Sequence, residues 1–313
     1  MKRDDILFLE PVFMERIWGG RALEDKFGYD IPAGNIGECW GISAHPNGES
    51  VIRNGEYKGL KLSELWESHK ELFGGNCEGQ FPLLVKVLDA DADLSVQVHP
   101  DDAYAAKFEN GELGKTECWY VVDCNEDAEI VFGHNAKSSD EMHSMIENGS
   151  WDKFLQRRRV KAGDFFYVPA GTVHALCKGA LILEVQQSSD TTYRLYDYDR
   201  RDDAGNLREL HIEKSLDVIT VPHVDPANSS EVLVEGAANI TKYVDDEFFA
   251  VYKYDIDGNF EFSNIGDYSL VSVTRGEGTV NDVKISKGEH FIVPTTTNAI
   301  EFSGELELII AHP

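Results

Sequence analysis

Gln97 and His99 stand two residues apart in Val96-Gln97-Val98-His99-Pro100-Asp101-Asp102, a β-branched stretch that reads as a strand. Side chains at i and i+2 of a strand share a face, so this carboxamide and imidazole can converge. Lys115 and Glu117 repeat the spacing in Gly114-Lys115-Thr116-Glu117-Cys118-Trp119-Tyr120. His174 follows the turn signal Val168-Pro169-Ala170-Gly171. Two imidazoles, a carboxylate and a carboxamide on neighbouring strands would form a mixed nitrogen and oxygen metal site. An ammonium beside that site points to chemistry on a substrate rather than to a structural metal.

A polar and aromatic run follows, from Gln186-Gln187-Ser188-Ser189-Asp190 through Thr191-Thr192-Tyr193-Arg194 to Arg200. As structure it is a strand edge with a charged loop. As function, Arg194 supplies a fixed cation suited to an oxyanion or phosphate, and Asp190 an acidic group near the metal. Each of these signals alone is more often structural than functional. Their order along one chain, together with a degenerate second copy, favours a site. His45, His69, His134, His143, His211, His223, His290 and His312 lack such partners and read as structural or exposed.

The elements that must position these groups are mostly strands. Phe81–Leu88, Cys118–Val122, Ala128–Phe132, Phe165–Val168, Leu181–Val185 and Leu306–Ile310 carry strand signals between Gly, Pro, Asn and Asp punctuation. Helical patterning is limited to Leu60–Phe73 with Ser63 as N-cap, Asp101–Asn110, Ser139–Asn148 and Trp151–Gln156. An internal repeat relates Lys161-Ala162-Gly163-Asp164 through Val168-Pro169 and His174 to Lys287-Gly288-Glu289 through Val293-Pro294. The second copy has Asn298 or Ala299 where the first has His174.

Length and composition bound the rest. With 313 residues the chain can hold two domains, and 42% hydrophobic content is ordinary for a globular protein. A net charge of −27 excludes nucleic acid and an anionic membrane surface as partners. A small anionic substrate would require a local basic pocket. Five cysteines without a C-x-x-C pair argue against a disulfide framework or a thiolate zinc site and fit reduced thiols in the cytoplasm. The apolar run Ile6–Leu9 is too short for a signal sequence, and no stretch is long enough to span a membrane.

The strand, turn and His174 pattern resembles the cupins. The combination of the Gln97, Lys115, His174 and Arg194 segments with the opening Pro11-Val12-Phe13-Met14-Glu15-Arg16-Ile17-Trp18-Gly19-Gly20 resembles type I mannose-6-phosphate isomerases in their short bacterial form. The resemblance covers most of the chain and weakens after about residue 225. It implies a mainly β fold of two cupin-type jelly-roll barrels. Residues 1–225 would form the catalytic unit, with helical insertions at about 58–75, 101–111 and 138–158. Residues 226–313 would form a degenerate unit without metal ligands. It further implies one zinc ion per chain at Gln97, His99, Glu117 and His174, with Arg194 and Lys115 as catalytic residues. The expected reaction interconverts mannose 6-phosphate and fructose 6-phosphate through an enediol. Its partner is a phosphorylated sugar, and the protein is a monomer or homodimer. The proton-transfer base stays open among metal-bound hydroxide, Lys115 and Asp190. A cupin oxygenase and a non-enzymatic sugar-binding bicupin are the competing readings.

Overall fold

A computed structural model of the chain describes residues 6–75, 77–202, 204–227, 230–297 and 300–313. Three sheets stack as layers. The central sheet has six antiparallel strands in the order Phe165–Val168, Glu117–Cys124, Ala180–Gln187, Leu83–Ala90, Ile36–Ile42 and Val12–Gly20. The front sheet has five, in the order Tyr193–Tyr196, Val96–Val98, His174–Leu176, Glu129–His134 and Leu155–Arg159. The back sheet has nine, mostly from residues beyond 230. It also takes Leu7–Glu10, which bridges His290–Val293 to Val51–Ile52.

Strand alternation explains the stacking. On Ala180–Gln187, the side chains of Leu181, Leu183 and Val185 pack backward with Val251, Leu270 and Ile309. Ala180 and Ile182 point forward against Ile130, Phe132 and Leu176. The next two forward positions are Glu184 and Gln186. Glu117–Cys124 behaves alike, with Val121 and Trp119 in the same apolar core and Glu117 beyond them. On Leu83–Ala90 the forward series is Ala90, Leu88 and then Lys86. The space between central and front sheets is therefore apolar at one end and charged at the other. Met142, Ile146 and Phe154 of the helical insertions cover the outer face of the front sheet.

The expected mainly β class with small helices is what the chain adopts. The sheets remain open layers rather than closed barrels, because the Phe165–Val168 and Val12–Gly20 strands end the central sheet. Two local expectations change. The helix expected from Ser63 begins at Leu62 with Lys61 as N-cap. There Lys61 bridges Val51, and the Leu62 amide donates to Ser50, so sheet contacts set the start. Ser63 instead donates its hydroxyl to Glu49. The Trp151–Gln156 helix stops at Phe154, because Leu155–Arg159 pairs with Glu129–His134 at the sheet edge.

The internal repeat is visible as a repeated backbone. Gly163 and Gly288 share a left-handed φ of 91° and 93°, which a residue without Cβ adopts freely. Asp164 donates to Lys161 and Glu289 to Ser286, while Thr172 donates to Pro169 and Thr297 to Pro294. Asn298 and Ala299, the counterparts of His174, lie outside the described residues. The interior of the back unit is lined by Val271, Val273, Phe291 and Phe302. Among the described residues, the only grouping of three or more His, Cys, Asp or Glu with metal-ligand spacing lies elsewhere.

His290 joins the layers. Its ring is buried, 2.8 Å from the Ser272 hydroxyl and 3.0 Å from the Tyr29 hydroxyl. Burial lowers its pKa to about 4, so the ring is neutral near pH 7. The ring lies over Gly41 of the central sheet, where a Cβ would fall 2.6 Å from three ring atoms. Gly41→Ala should lower the unfolding free energy by about 1–3 kcal/mol through this overpacking, with metal content retained. Denaturant unfolding measures the loss, and an unchanged midpoint would mean that the ring and sheet separate without cost.

Candidate active site

Gln97 lies in the middle of a three-residue strand, directly opposite His174 on one neighbour and Arg194 on the other. Directly opposed residues of antiparallel strands project to the same face. One register therefore sets the carboxamide, the imidazole and the guanidinium side by side. His99 follows two residues on, and its carbonyl accepts from the Gly171 amide at 2.9 Å. Glu117 opens its strand on the facing sheet, paired with Val168 and Gln186. The Lys115 amide donates to Pro100 at 3.0 Å, which brings Lys115 beside His99. Gly114 permits that approach, since a Cβ would meet the Asp101 backbone at 2.5 Å.

His99, Glu117 and His174 converge with ligand atoms within 4.8 Å of one another, all buried. The Nδ1 of His99 lies 2.9 Å from the Thr191 carbonyl, and that of His174 lies 2.8 Å from the Thr172 carbonyl. Each Nδ1–H donates to its carbonyl, so each Nε2 carries a lone pair and faces inward. These two Nε2 atoms are 3.1 Å apart, and each is 3.3 Å from a Glu117 oxygen. Both Glu117 oxygens are buried without an aligned hydrogen bond. Lys115 Nζ, 3.1 Å from Oε2 and 3.3 Å from His99 Nε2, reaches only one side of this cluster. Two lone pairs facing an unsatisfied carboxylate repel one another, and a cation between them removes the conflict. The donor set thus fits a divalent metal. Gln97 reaches the same point, its amide 3.3 Å from His174 Nε2, and by flipping the amide can present oxygen as a further ligand.

Charge balance follows from this burial. Burial pushes the Glu117 pKa up, but the Lys115 ammonium, then His99 and His174, outweigh it and hold the carboxyl well below its usual range. Burial would lower Lys115, yet the Glu117 carboxylate raises it. Burial and then the Lys115 charge take His99 down to about 3, and burial lowers His174.

Beside these ligands opens a cavity of about 410 Å³, lined by Gln97, Lys115, Asp190 and Arg194 as the sequence led one to expect. It is also lined by Lys86, Glu184, Glu38, Arg16 and Arg208, which sequence reasoning missed. For Lys86 and Glu184 a signal existed: each is a charge flanked by apolar residues in a strand buried on both faces. Glu184 accepts from the Trp119 indole at 2.9 Å and lies 3.7 Å from Lys86 Nζ. Burial and then the Glu117 charge raise its pKa to about 7. Arg16 forks onto Glu38 at 2.8 and 3.2 Å. Asp190 accepts from the Asn47 amide at 2.9 Å. Arg194 donates Nη1 to the Glu209 carbonyl at 2.8 Å, while its buried Nε has no partner.

Known proteins resemble this chain in sequence and fold. A profile of the phosphomannose isomerase type I catalytic domain matches residues 6–135, and one of the mannose-6-phosphate isomerase cupin domain matches residues 239–313. A mannose-6-phosphate isomerase of Bacillus subtilis is 52% identical over 98% of both chains. One of Streptococcus mutans is also 52% identical, again over 98% of both chains. The crystal structure of a Bacillus subtilis mannose 6-phosphate isomerase superposes with a TM-score of 0.96 at 51% identity, covering 99% of this chain and 100% of that one. The likeness extends to the C-terminus rather than fading after residue 225. By sequence, by fold and by the site these strands assemble, the chain belongs to the type I phosphomannose isomerases.

Proposed function

We propose that this protein interconverts mannose 6-phosphate and fructose 6-phosphate through an enediol, with zinc at Gln97, His99, Glu117 and His174. The observation that carries the reading is the buried ligand set opening onto a cavity that also holds an acid–base group and several cations. When bound, the metal supplies a Lewis acid for the oxygens on the two reacting carbons, without redox chemistry.

The chain's own residues supply the rest. Glu184 takes the proton from C2 and returns it to C1, because a carboxyl with a pKa near neutrality can both accept and release it. This adds a base to the candidates Lys115 and Asp190. Lys86, between Glu184 and Glu38 and 4.8 Å from the Trp40 ring centre, keeps the carboxylate oriented. Lys115 stays charged and donates to a sugar oxygen. Arg194 cannot act as a base and stabilises the developing oxyanion. No observation favours an oxygenase or a sugar-binding protein without turnover.

The broader assignments are inferences of the same kind. The N-terminal 225 residues form the catalytic unit and the remainder a metal-free unit, apart from the N-terminal strands lent to the back sheet. Five free cysteines support a cytoplasmic setting. No helix among the described residues is long and apolar enough to cross a membrane.

His174→Ala should lose both bound metal and turnover; full zinc occupancy by elemental analysis with normal activity would sink the ligand assignment. Arg194→Ala should fold and keep its metal while kcat falls about 100-fold or more, and an unchanged kcat would confine the residue to the rim. Glu184 is active as a base only when ionised, so kcat/KM should drop as pH falls through its pKa. A bound cation near Glu117 favours the ionised form, which places this acid limb between 4.5 and about 7. Glu184→Gln should remove the limb and cost about 10²–10⁴-fold in kcat with zinc retained. Persistence of the limb would pass the proton to another group.

A further inference from the structure

We propose that Arg208, held by Asp197, is the residue that selects for the phosphoryl group of the substrate. The inference rests on the isomerase reading and concerns the end of the cavity away from the metal ligands. Most charges on the cavity wall neutralise one another. Arg16 is forked onto Glu38, and Lys86 lies between Glu38 and Glu184. The arginines near Asp197 are not balanced in this way.

Asp197 is a buried carboxylate shared by two guanidinium groups. Arg208 donates Nε to Oδ2 at 2.8 Å and Nη2 to Oδ1 at 2.5 Å. Arg200 donates to Oδ1 at 2.7 Å but does not line the cavity. The segment carrying Arg208 then folds back on the Arg194 strand. The His211 amide donates to the Arg194 carbonyl at 2.8 Å, the Arg194 amide to His211 Nδ1 at 3.1 Å, and Arg194 Nη1 to the Glu209 carbonyl. This places Arg208 close enough that, after burial, its charge is the strongest influence lowering the Arg194 pKa.

Two guanidinium groups thus share one carboxylate, with Arg194 close enough to feel all three, in a chain of net charge −27. Arg208 Nη1 has no protein partner among the described residues, and Arg194 Nε is buried without one. Such convergent, under-neutralised donors fit a dianionic tetrahedral group, for which a planar fork is the matching shape. Arg194 is aligned with Gln97 and so belongs with the metal. Arg208 lines the same cavity near Arg194, where we place the 6-phosphoryl group of the bound sugar. Asp197 acts as the positioning residue: it fixes two arms of the fork and leaves the third for the ligand.

The test uses zinc-loaded full-length protein with Arg208→Met, which keeps the apolar stem, and Arg208→Lys, which keeps the charge without the fork. Inorganic phosphate is titrated by calorimetry, and kcat/KM is measured on mannose 6-phosphate and on free mannose. Arg208→Met should weaken phosphate binding by about 10- to 100-fold, the range for a charge-assisted hydrogen bond. It should also reduce the preference for the phosphorylated sugar by a similar factor, mainly through KM, with the lysine variant intermediate. Wild-type phosphate affinity in Arg208→Met, or equal losses on both sugars, would overturn the proposal. Should the methionine variant fail to fold, wild-type affinity and preference in the lysine variant would equally overturn the role of the fork. Absence of isomerisation by the wild-type protein would defeat the isomerase reading, while the phosphate titration would still decide the role of Arg208.

Discussion

Taking the Glu117 carboxylate out of water costs several kcal/mol unless charge and hydrogen bonds compensate, and the strands around it provide no aligned donor. Compensation comes from the Lys115 ammonium, and the two imidazoles beside it complete a set that fits a divalent cation. Each neutralising charge is itself buried and needs a partner in turn. The result is a series of alternating sign, Glu117, Lys115, Glu184, Lys86, Glu38 and Arg16, running from a fully buried carboxylate to a guanidinium that is 31% exposed. Glu184 is a member of this series whose carboxyl holds its proton more tightly than usual, because burial and the Glu117 charge both raise its pKa.

The grouping of His99, Glu117 and His174 was legible because its signal is local. Residues at i and i+2 on a strand must share a face whatever sheet they join, so Gln97 with His99 and Lys115 with Glu117 could be paired before any topology was known. The turn before His174 was equally local, and its hydrogen bonds recur in the second copy. Arg16, Glu38 and Arg208 were not legible. Arg16 and Glu38 meet Lys86 only because the central sheet sets Val12–Gly20 beside Ile36–Ile42 and that strand beside Leu83–Ala90, while Arg208 arrives on the segment that folds back onto the Arg194 strand. Lys86 and Glu184 fall between these cases: the anomaly of a charge in an apolar strand can be read, but its partner cannot.

The fold was legible to a similar depth. Strand existence followed from alternation, and the mainly β class followed from strand number. Boundaries failed where tertiary pairing overrides local preference, as at Lys61, tied to Val51, and at Leu155, drawn into the front sheet. The unit boundary is blurred for the same reason. Leu7–Glu10 is first in the chain but pairs with His290–Val293 near its end, a long-range contact that no local pattern announces.

The double-sided burial of Ala180–Gln187 has a consequence for motion. Its forward residues line the reaction space while Leu181, Leu183 and Val185 are embedded in the core shared with the back unit. A strand held on both faces opens only when much of the molecule opens with it, whereas functional groups are more commonly carried on segments of low local stability. Glu184 sits on such a strand, packed on both faces. The proposed phosphoryl subsite lies elsewhere, at Arg208, which is held to Asp197 by side-chain hydrogen bonds. On the proposed reading, proton transfer is carried by a strand packed on both faces and phosphoryl recognition by a side chain fixed through its own ion pair.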